Sequence, residues 1–235
     1  MKKIKTICII PARGGSKGLK NKNILKINNE YLISRTIKFA KSVKQIDVVL
    51  VTTDSKKIAE IAIQSGALVP FLRPKKLASD LATTEDTLRH ALLKYEKISQ
   101  IKFDFCIFLS PTDIFRNKSW PKYAINKMKK NKNLDSIFVG YETHKNYWEK
   151  NHNNKWKRLK PWMKEYSSRQ IRNKIYREDT GLFSITKSHF WRKGIRLGKK
   201  VDIIINKNDL SSIDIHDAKD LKLANLIIEN KIEKY

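Results

Sequence analysis

Residues 6–23 read TICIIPARGGSKGLKNKN, and the fold prediction starts from this stretch. The apolar run Thr6–Ile10 predicts a buried β-strand, and a cluster of glycines follows it directly. Glycine allows backbone conformations in which successive N–H groups converge on an anion at close range. The segment matches neither the Walker A pattern nor GxGxxG, so the alternative is an ordinary basic strand-to-helix turn. The predicted anion-binding loop contains Arg13, Gly14, Gly15, Ser16, Lys17, Gly18, Asn21, Lys22 and Asn23.

Short apolar runs alternate with helical patterns along most of the chain. Further strands are predicted at Val48–Val51, Phe105–Leu109, Ser136–Val139, Leu182–Ile185 and Val201–Ile205. Helices are predicted at Tyr31–Val43, from the N-cap Asp54 to Gly66, from Thr84 onward, up to about Lys130, and from the N-cap Asp217 to about Ile232. We therefore expect an α/β fold with a mostly parallel, Rossmann-like sheet covered by helices on both faces. In such sheets ligands bind beyond the carboxyl ends of the strands.

The alternation fails over residues 141–176, which are polar, aromatic and basic and include Trp148, Trp156 and Trp162. We interpret this segment as an insertion that either covers the substrate as a lid or packs against a partner subunit. The whole chain, residues 1–235, is expected to form one domain that contains this insertion.

The composition indicates a soluble globular protein with an unusual charge. The chain has 50 Lys plus Arg against 23 Asp plus Glu, a net charge of +27, which would attract nucleic acid, anionic membranes or phosphorylated metabolites. The basic residues are spread along the chain, which favours a general compositional bias over a dedicated nucleic-acid surface. Cys8 and Cys106 lie in apolar runs without metal-ligand spacing and are expected to be buried core residues. No run is long enough to span a membrane, and the cytoplasm is the expected location.

The loop sequence IIPARGGSKGLKNKN resembles the N-terminal signature of the acylneuraminate cytidylyltransferases, the CMP-sialic acid synthetase family. Four later blocks resemble this family in order and spacing, so that the resemblance covers nearly the whole chain. They are VTTDSKKIAEIA (Val51–Ala62), RPKKLASDLATTEDTLRHAL (Arg73–Leu92), FLSPTDIFR (Phe108–Arg116) and SSIDIHDAKDL (Ser211–Leu221). The resemblance implies a nucleotidyltransferase sheet with an inserted dimerisation arm, and a homodimer.

The resemblance also implies a reaction: transfer of CMP from CTP to the anomeric hydroxyl of an acidic 2-keto-3-deoxy sugar, with release of pyrophosphate. By matching motif positions, Arg13 and Lys17 would act on the triphosphate together with Gly14, Gly15, Ser16 and Asn23. Arg73 would help read the cytosine, while Ala82, Thr83 and Thr84 would line the base and ribose. Ser110 stands where the family often has a glutamine near the nucleotide. Arg169 and Gln170 match a family block whose arginine meets the acidic sugar, and a planar guanidinium suits a carboxylate.

A divalent metal is implied as well, magnesium in the first instance and manganese as the alternative. Asp214 and His216 alternate at a predicted strand end and should face the same side. Many family members carry Asp at both positions, and magnesium binds imidazole poorly. Either Asp214 works with fewer protein ligands, or the metal resembles manganese, or another carboxylate such as Asp113 takes part. Asp217 is favoured as a helix cap.

Several alternatives stay open from the sequence. The acceptor could be 3-deoxy-octulosonate or another sugar, because the segment EDTGLFSI departs from the family pattern NGAIYI near the expected sugar site. A basic nucleic-acid-binding protein and an inactive family member are further alternatives, the latter suggested by His216.

Overall fold

The computed structural model describes residues 3–15, 18–168 and 170–230. The strands are β1 (Thr6–Pro11), β2 (Lys26–Ile27), β3 (Glu30–Tyr31), β4 (Val48–Thr52), β5 (Phe105–Phe108), β6 (Ser136–Thr143), β7 (Trp148–Lys150), β8 (Trp156–Arg158), β9 (Ile175–Glu178), β10 (Ser184–Lys187) and β11 (Val201–Asn206). The α-helices are α1 (Leu32–Lys41), α2 (Lys56–Gln64), α3 (Thr84–Ser99), α4 (Ser119–Lys130), α5 (Ser188–Arg192) and α6 (Ala218–Glu229).

The central sheet has the strand order β11-β6-β10-β5-β1-β4, and β9 also pairs with β6. Strands β4, β1, β5, β6 and β11 run in one direction, while β9 and β10 run the opposite way. This confirms the expected mostly parallel α/β sheet. The two antiparallel strands follow from the chain path. After β6 the chain leaves the sheet through the irregular segment and returns alongside β6 as β9 and β10, and the two sides of such a hairpin are antiparallel.

Strands β9 and β10 are two parts of one returning run that is interrupted by a bulge. The Asp179 N–H donates to the Val139 carbonyl, and the Val139 N–H donates to the Phe183 carbonyl. Residues 179–183 therefore stand opposite a single residue of β6. Such bulges re-aim side chains and occur often beside active sites. The predicted strand Leu182–Ile185 was consequently wrong in its bounds, since Leu182 and Phe183 belong to the bulge and the strand is Ser184–Lys187.

Helices cover both faces of the sheet, as expected. One apolar layer joins α1, α2 and α4 to the sheet and contains Cys8, while the other joins α3 and α5 and contains Cys106. Both cysteines are buried and free, as the sequence predicted. A third cluster packs α6 and β2 against Phe115 and Ile215, next to the loops that carry the site.

The irregular segment is shorter than predicted at both ends. Strand β6 continues through Thr143 and β9 begins at Ile175, so only residues 144–174 leave the sheet. Within them β7 and β8 form a separate two-stranded hairpin. We call residues 144–174 the arm.

The helix start predicted at Thr84 is confirmed, and of the two predicted Asp N-caps one is confirmed and one is wrong. Asp217 caps α6 in a capping box with Asp220, as predicted. Asp54 does not cap α2, because the hydroxyl of Ser55 accepts the Ile58 N–H in that role. The predicted end of the last helix near Ile232 lies outside the described residues. Within the described ranges, no helix is long and apolar enough to cross a membrane.

Candidate functional site

The candidate site lies where β1, β4 and β5 end, together with the 179–183 bulge and the segment 213–216. Of the glycine loop, the structure describes residues up to Gly15 and from Gly18 onward; the predicted contacts Ser16 and Lys17 lie outside the described residues, as does Arg169.

Two hydrogen bonds fix the described parts of the glycine loop, one to the turn after β4 and one within the loop. The Gly14 N–H donates to Asp54 Oδ1 at 2.9 Å, and the Asn23 side-chain amide donates to the Arg13 carbonyl at 2.9 Å. A Cβ on Gly14 would lie 3.0 Å from the Ser55 Cβ, so the loop packs closely on the turn after β4. Asp54 therefore supports the loop, a role that its sequence position did not reveal because an Asp before a helical pattern also predicts an N-cap.

The far end of the loop packs against the segment that carries Asp214. A Cβ on Gly18 would lie 2.9 Å from the His216 carbonyl oxygen, whereas a Cβ on Gly15 would meet nothing within 4 Å. The bare Cα of Gly18 thus allows the loop and the 213–216 segment to touch. This contact joins the loop predicted to bind the nucleotide to the segment predicted to bind the metal.

A cavity of about 360 Å³ opens beside the loop. The predicted nucleotide contacts that line it are Arg13, Asn23, Arg73, Ala82, Thr83, Thr84 and Ser110. At its mouth the Arg13 guanidinium contacts Asp80 at 3.0 Å and donates to the Ser79 carbonyl at 3.2 Å. The Thr83 hydroxyl caps α3 through the Asp86 N–H. The structure thus brings together seven residues that the sequence had assigned to one nucleotide.

Arg73 is the most informative residue of this cavity. Its side chain is only 4% exposed, yet its Nε and one terminal nitrogen, Nη2, have no hydrogen-bond partner. Burial lowers the pKa of Arg73, and Asp54, 3.8 Å away, opposes that effect. Buried donors without hydrogen-bond partners are costly and rare in native proteins, where a water, an ion or a ligand usually satisfies them. Arg73 is therefore poised to donate to acceptors on a bound molecule.

A second cavity of about 390 Å³ adjoins the first, and Phe108 and Ser110 line both. Asp113 and Asp214, far apart in the chain, meet here as partners of an antiparallel β-bridge. Burial and, as the second cause, the neighbouring Asp214 raise the pKa of Asp113 to about 7. Asp214 Oδ1 is buried without a hydrogen-bond partner.

His216 faces the same side as Asp214, as predicted, and its Nε2 lies 2.9 Å from Asp214 Oδ2. Its side chain is largely exposed. Among the described residues, no group of three or more His, Cys, Asp or Glu side chains is arranged to hold a metal ion.

A third cavity of about 910 Å³ continues from the second, with Arg177 and Ser212 shared between them. Gln170 lies here, away from the nucleotide cavity, beside the cations Lys145, Lys174 and Arg177. Arg177 is held by two bonds to Asp179, at 2.6 and 3.0 Å. No role for Arg177 was predicted from the sequence, although an Arg two residues before an Asp at a strand end was a usable signal.

The fold and these three cavities define a nucleotide-handling α/β transferase of the nucleotidyltransferase type. A family model described as cytidylyltransferase matches residues 7–232, and the chain belongs to that family.

Relatives agree with this assignment. Post-translational flagellin modification protein B of Campylobacter coli is 30% identical over 96% of this chain and 95% of its own length. The CMP-N,N'-diacetyllegionaminic acid synthase of Legionella pneumophila is 36% identical over 52% of each chain. The N-acylneuraminate cytidylyltransferase of Escherichia coli O18:K1:H7 is 31% identical over 97% of this chain, which spans about half of that relative, 53%.

Solved structures share the fold. CMP:2-keto-3-deoxy-manno-octonic acid synthetase in complex with CTP matches with a TM-score of 0.69 at 13% identity, over 97% of this chain and 99% of that one. The 4-diphosphocytidyl-2C-methyl-D-erythritol synthase of Anaerococcus prevotii matches with a TM-score of 0.65 at 12% identity, over 97% and 100%. At these identities the likeness extends to the fold alone.

Proposed function

We propose that this cytidylyltransferase transfers CMP from CTP to the anomeric hydroxyl of an acidic 2-keto-3-deoxy sugar of the nonulosonic acid class, releasing pyrophosphate. One observation carries the proposal: three adjoining cavities offer, in order, the buried donors of Arg73, a carboxylate pair, and a wall where the cations Lys145, Lys174 and Arg177 outnumber the carboxylates Glu142 and Asp209. That order suits a base, a metal-bound phosphate and an acidic acceptor. The names of the legionaminic and N-acylneuraminate relatives support this acceptor class.

At the nucleotide end, Arg73 would donate to the carbonyl oxygen and a ring nitrogen of cytosine. Both of these atoms are hydrogen-bond acceptors, and Arg73 has donors without partners. Arg13 would exchange its contact with Asp80 for the triphosphate, which is a stronger anion. The glycine loop would supply backbone N–H groups, and Ser16 and Lys17 are proposed to complete it.

The carboxylate pair fits a divalent cation. Asp214 Oδ1 is a buried oxygen without a hydrogen-bond partner, and burial and the charge of Asp214 raise the pKa of its β-bridge partner Asp113, so a cation would relieve an unfavourable arrangement. Magnesium is commonly held by one or two carboxylates, with water and substrate phosphates completing the shell. We propose Asp113 and Asp214 as its ligands, so that His216 need not bind it. The ion would neutralise charge on the phosphates.

The acceptor would bind in the third cavity. Arg177, fixed by Asp179, presents a guanidinium beside Lys174 and Gln170, and such a planar cation matches a sugar carboxylate. The sugar hydroxyl oxygen would then attack the α-phosphorus in line and lose its proton to water, while the bond from that phosphorus to the bridging oxygen of the β-phosphate breaks and pyrophosphate leaves. Such reactions depend mostly on positioning and charge neutralisation.

The arm is proposed to form a homodimer interface. Its exposed aromatic side chains include Trp148, Trp156 and Tyr166, and Arg158 stacks on Trp148 at 4.3 Å. Clusters of Trp, Tyr and Arg are enriched at protein interfaces.

The test is a panel of CTP, ATP, GTP and UTP against several 2-keto-3-deoxy sugar acids, including 3-deoxy-octulosonate, scored for pyrophosphate. We expect pyrophosphate release only with CTP. Among the acceptors, we expect more release with nine-carbon acids than with 3-deoxy-octulosonate. The matched variant Asp214→Asn should lose metal-dependent release. Salt-sensitive retention of DNA or RNA without any turnover would instead support a nucleic-acid-binding protein, and absence of both would support an inactive member.

A further inference from the structure

Arg116 is a buried cation that lies directly behind the carboxylate pair. It is 7% exposed, and its guanidinium donates to four neutral oxygens. Nε donates to the Leu182 carbonyl at 2.7 Å, Nη1 to the Thr36 hydroxyl at 3.2 Å, and Nη2 to the carbonyls of Gly181, at 3.1 Å, and Ser110. Burial lowers its pKa to about 10, so the charge persists at neutral pH.

These contacts join three parts of the chain that are separate in sequence. Ser110 follows β5, Gly181 and Leu182 belong to the bulge opposite Val139, and Thr36 lies in α1. The Ser110 N–H also donates to the Gly181 carbonyl at 2.8 Å. The guanidinium therefore fixes the bulge against the loop that carries Asp113.

The Asp113 carboxylate packs directly against Gly181. A Cβ on Gly181 would lie 2.2 Å from Asp113 Oδ2 and 3.2 Å from the Ser110 Cβ. The Asp113 carboxylate thus occupies the space that any other residue at position 181 would fill. A shift of the bulge would move this carboxylate relative to Asp214.

We propose that Arg116 is a positioning residue for the metal site: by holding the Gly181 and Ser110 carbonyls, it keeps the Asp113 carboxylate directed towards Asp214. This inference rests on the proposed function, because it assigns Asp113 as a metal ligand. Residues that orient metal ligands from behind typically contribute about 10–100-fold to metal affinity. Burying a guanidinium carries a desolvation penalty, so filling space does not account for Arg116. Its rigid planar group can instead hold two carbonyls at the same time.

The test is the affinity for Mn²⁺, measured by electron paramagnetic resonance of the free ion, in Arg116→Lys, Thr36→Val and the wild type. Lysine keeps the charge but loses the fork, so we expect Mn²⁺ affinity to fall about 10–100-fold. Thr36→Val removes one acceptor from Arg116 in a residue that lines none of the three cavities, and should give a smaller loss in the same direction. CTP binding in the presence of a chelator should be unchanged in both variants.

Arg192→Lys is the matched control. Arg192 is paired with the buried Glu96 between α3 and α5, so its variant should lower the melting temperature without changing Mn²⁺ affinity. Mn²⁺ affinity within twofold of wild type in both Arg116→Lys and Thr36→Val would overturn the inference. If Arg116→Lys does not fold, Thr36→Val decides alone, and unchanged affinity there overturns it.

Failure of the proposed function gives a different pattern. Asp113→Asn and Asp214→Asn should each weaken Mn²⁺ binding. If neither does, the metal site itself is wrong, and the inference about Arg116 falls with it. If both do while the Arg116 and Thr36 variants bind normally, only the inference about Arg116 is wrong.

Discussion

At the scale of single residues, Arg73 and Asp214 share a property that ordinary core residues lack. Each carries buried polar atoms without hydrogen-bond partners, and each faces one of two cavities that share a wall. An unsatisfied buried polar group costs roughly 1–3 kcal/mol, so both positions weaken the ligand-free folded state. Substitutions there should separate binding from stability.

Arg73→Met should impair CTP binding without destabilising the protein. A hydrogen bond from a charged donor contributes about 1.5–3 kcal/mol, so we expect the KM for CTP to rise roughly 10–150-fold. The melting temperature should stay constant or rise, because the substitution removes a buried guanidinium with two nitrogens that lack hydrogen-bond partners. Arg89→Met, on the exposed side of α3, is the control and should leave KM unchanged. A normal KM in Arg73→Met would remove the base-reading assignment.

The stability of the metal-free protein should depend on pH through Asp113. Its pKa is raised from 3.8 to about 7 by burial and by Asp214. A carboxyl whose pKa rises on folding stabilises the fold fully below the unfolded value, and that contribution is lost as pH rises through the folded value. With a chelator present, the melting temperature should therefore fall between about pH 4 and pH 7 by more in the wild type than in Asp113→Asn. Identical pH profiles would contradict this.

At the scale of elements, the site is an assembly of loops, each supported by another. The turn after β4 holds the glycine loop through Asp54, the glycine loop packs on the 213–216 segment through Gly18, and the bulge supports Asp113 through Gly181. Glycine matters at two of these contacts because backbones or carboxylates approach its Cα.

Gly18→Ala should reduce turnover more than Gly15→Ala. The new methyl group would push on the His216 carbonyl and separate the glycine loop from the segment of Asp214, whereas at Gly15 it meets open space. Misplacement of reacting groups by about 1 Å can cost on the order of 100-fold, so a loss approaching that size in kcat/KM is expected for Gly18→Ala only. Equal losses in steady-state kinetics of the two variants would show that the Gly18 contact is unimportant.

At the scale of the whole molecule, the arm is the part that the central sheet does not explain. Trp156 is 65% exposed and Tyr166 is 74% exposed, although large aromatic side chains gain most from burial. Because single chains rarely leave such residues uncovered in one cluster, a second copy is the proposed cover.

Trp156→Ser should weaken the proposed dimer. Interface tryptophans often contribute about 2 kcal/mol or more, so the dimer dissociation constant should rise at least roughly 30-fold. Sedimentation velocity over a range of concentrations measures this directly. Ile63→Ser, at an exposed apolar residue of α2, is the control and should leave the sedimentation profile unchanged. A wild-type chain that sediments as a monomer throughout would exclude the interface.

The sequence by itself determined the features that are encoded locally. Apolar runs of strand length, helical periodicity and the glycine cluster after Thr6–Ile10 each involve only a few neighbouring residues. They therefore predicted the α/β class, the helices on both faces of the sheet and the loop that contains Arg13. The nucleotide residues from Arg73 to Thr84 were predicted by resemblance, and the structure places them in one cavity.

Only the tertiary structure decided the contacts between distant parts of the chain. The bridge of Asp113 with Asp214, the support of Gly14 by Asp54, the burial of Arg116 and the 179–183 bulge depend on which strands become neighbours. Strand pairing and the desolvation of side chains are set by the packed sheet as a whole, and no local pattern of residues records them.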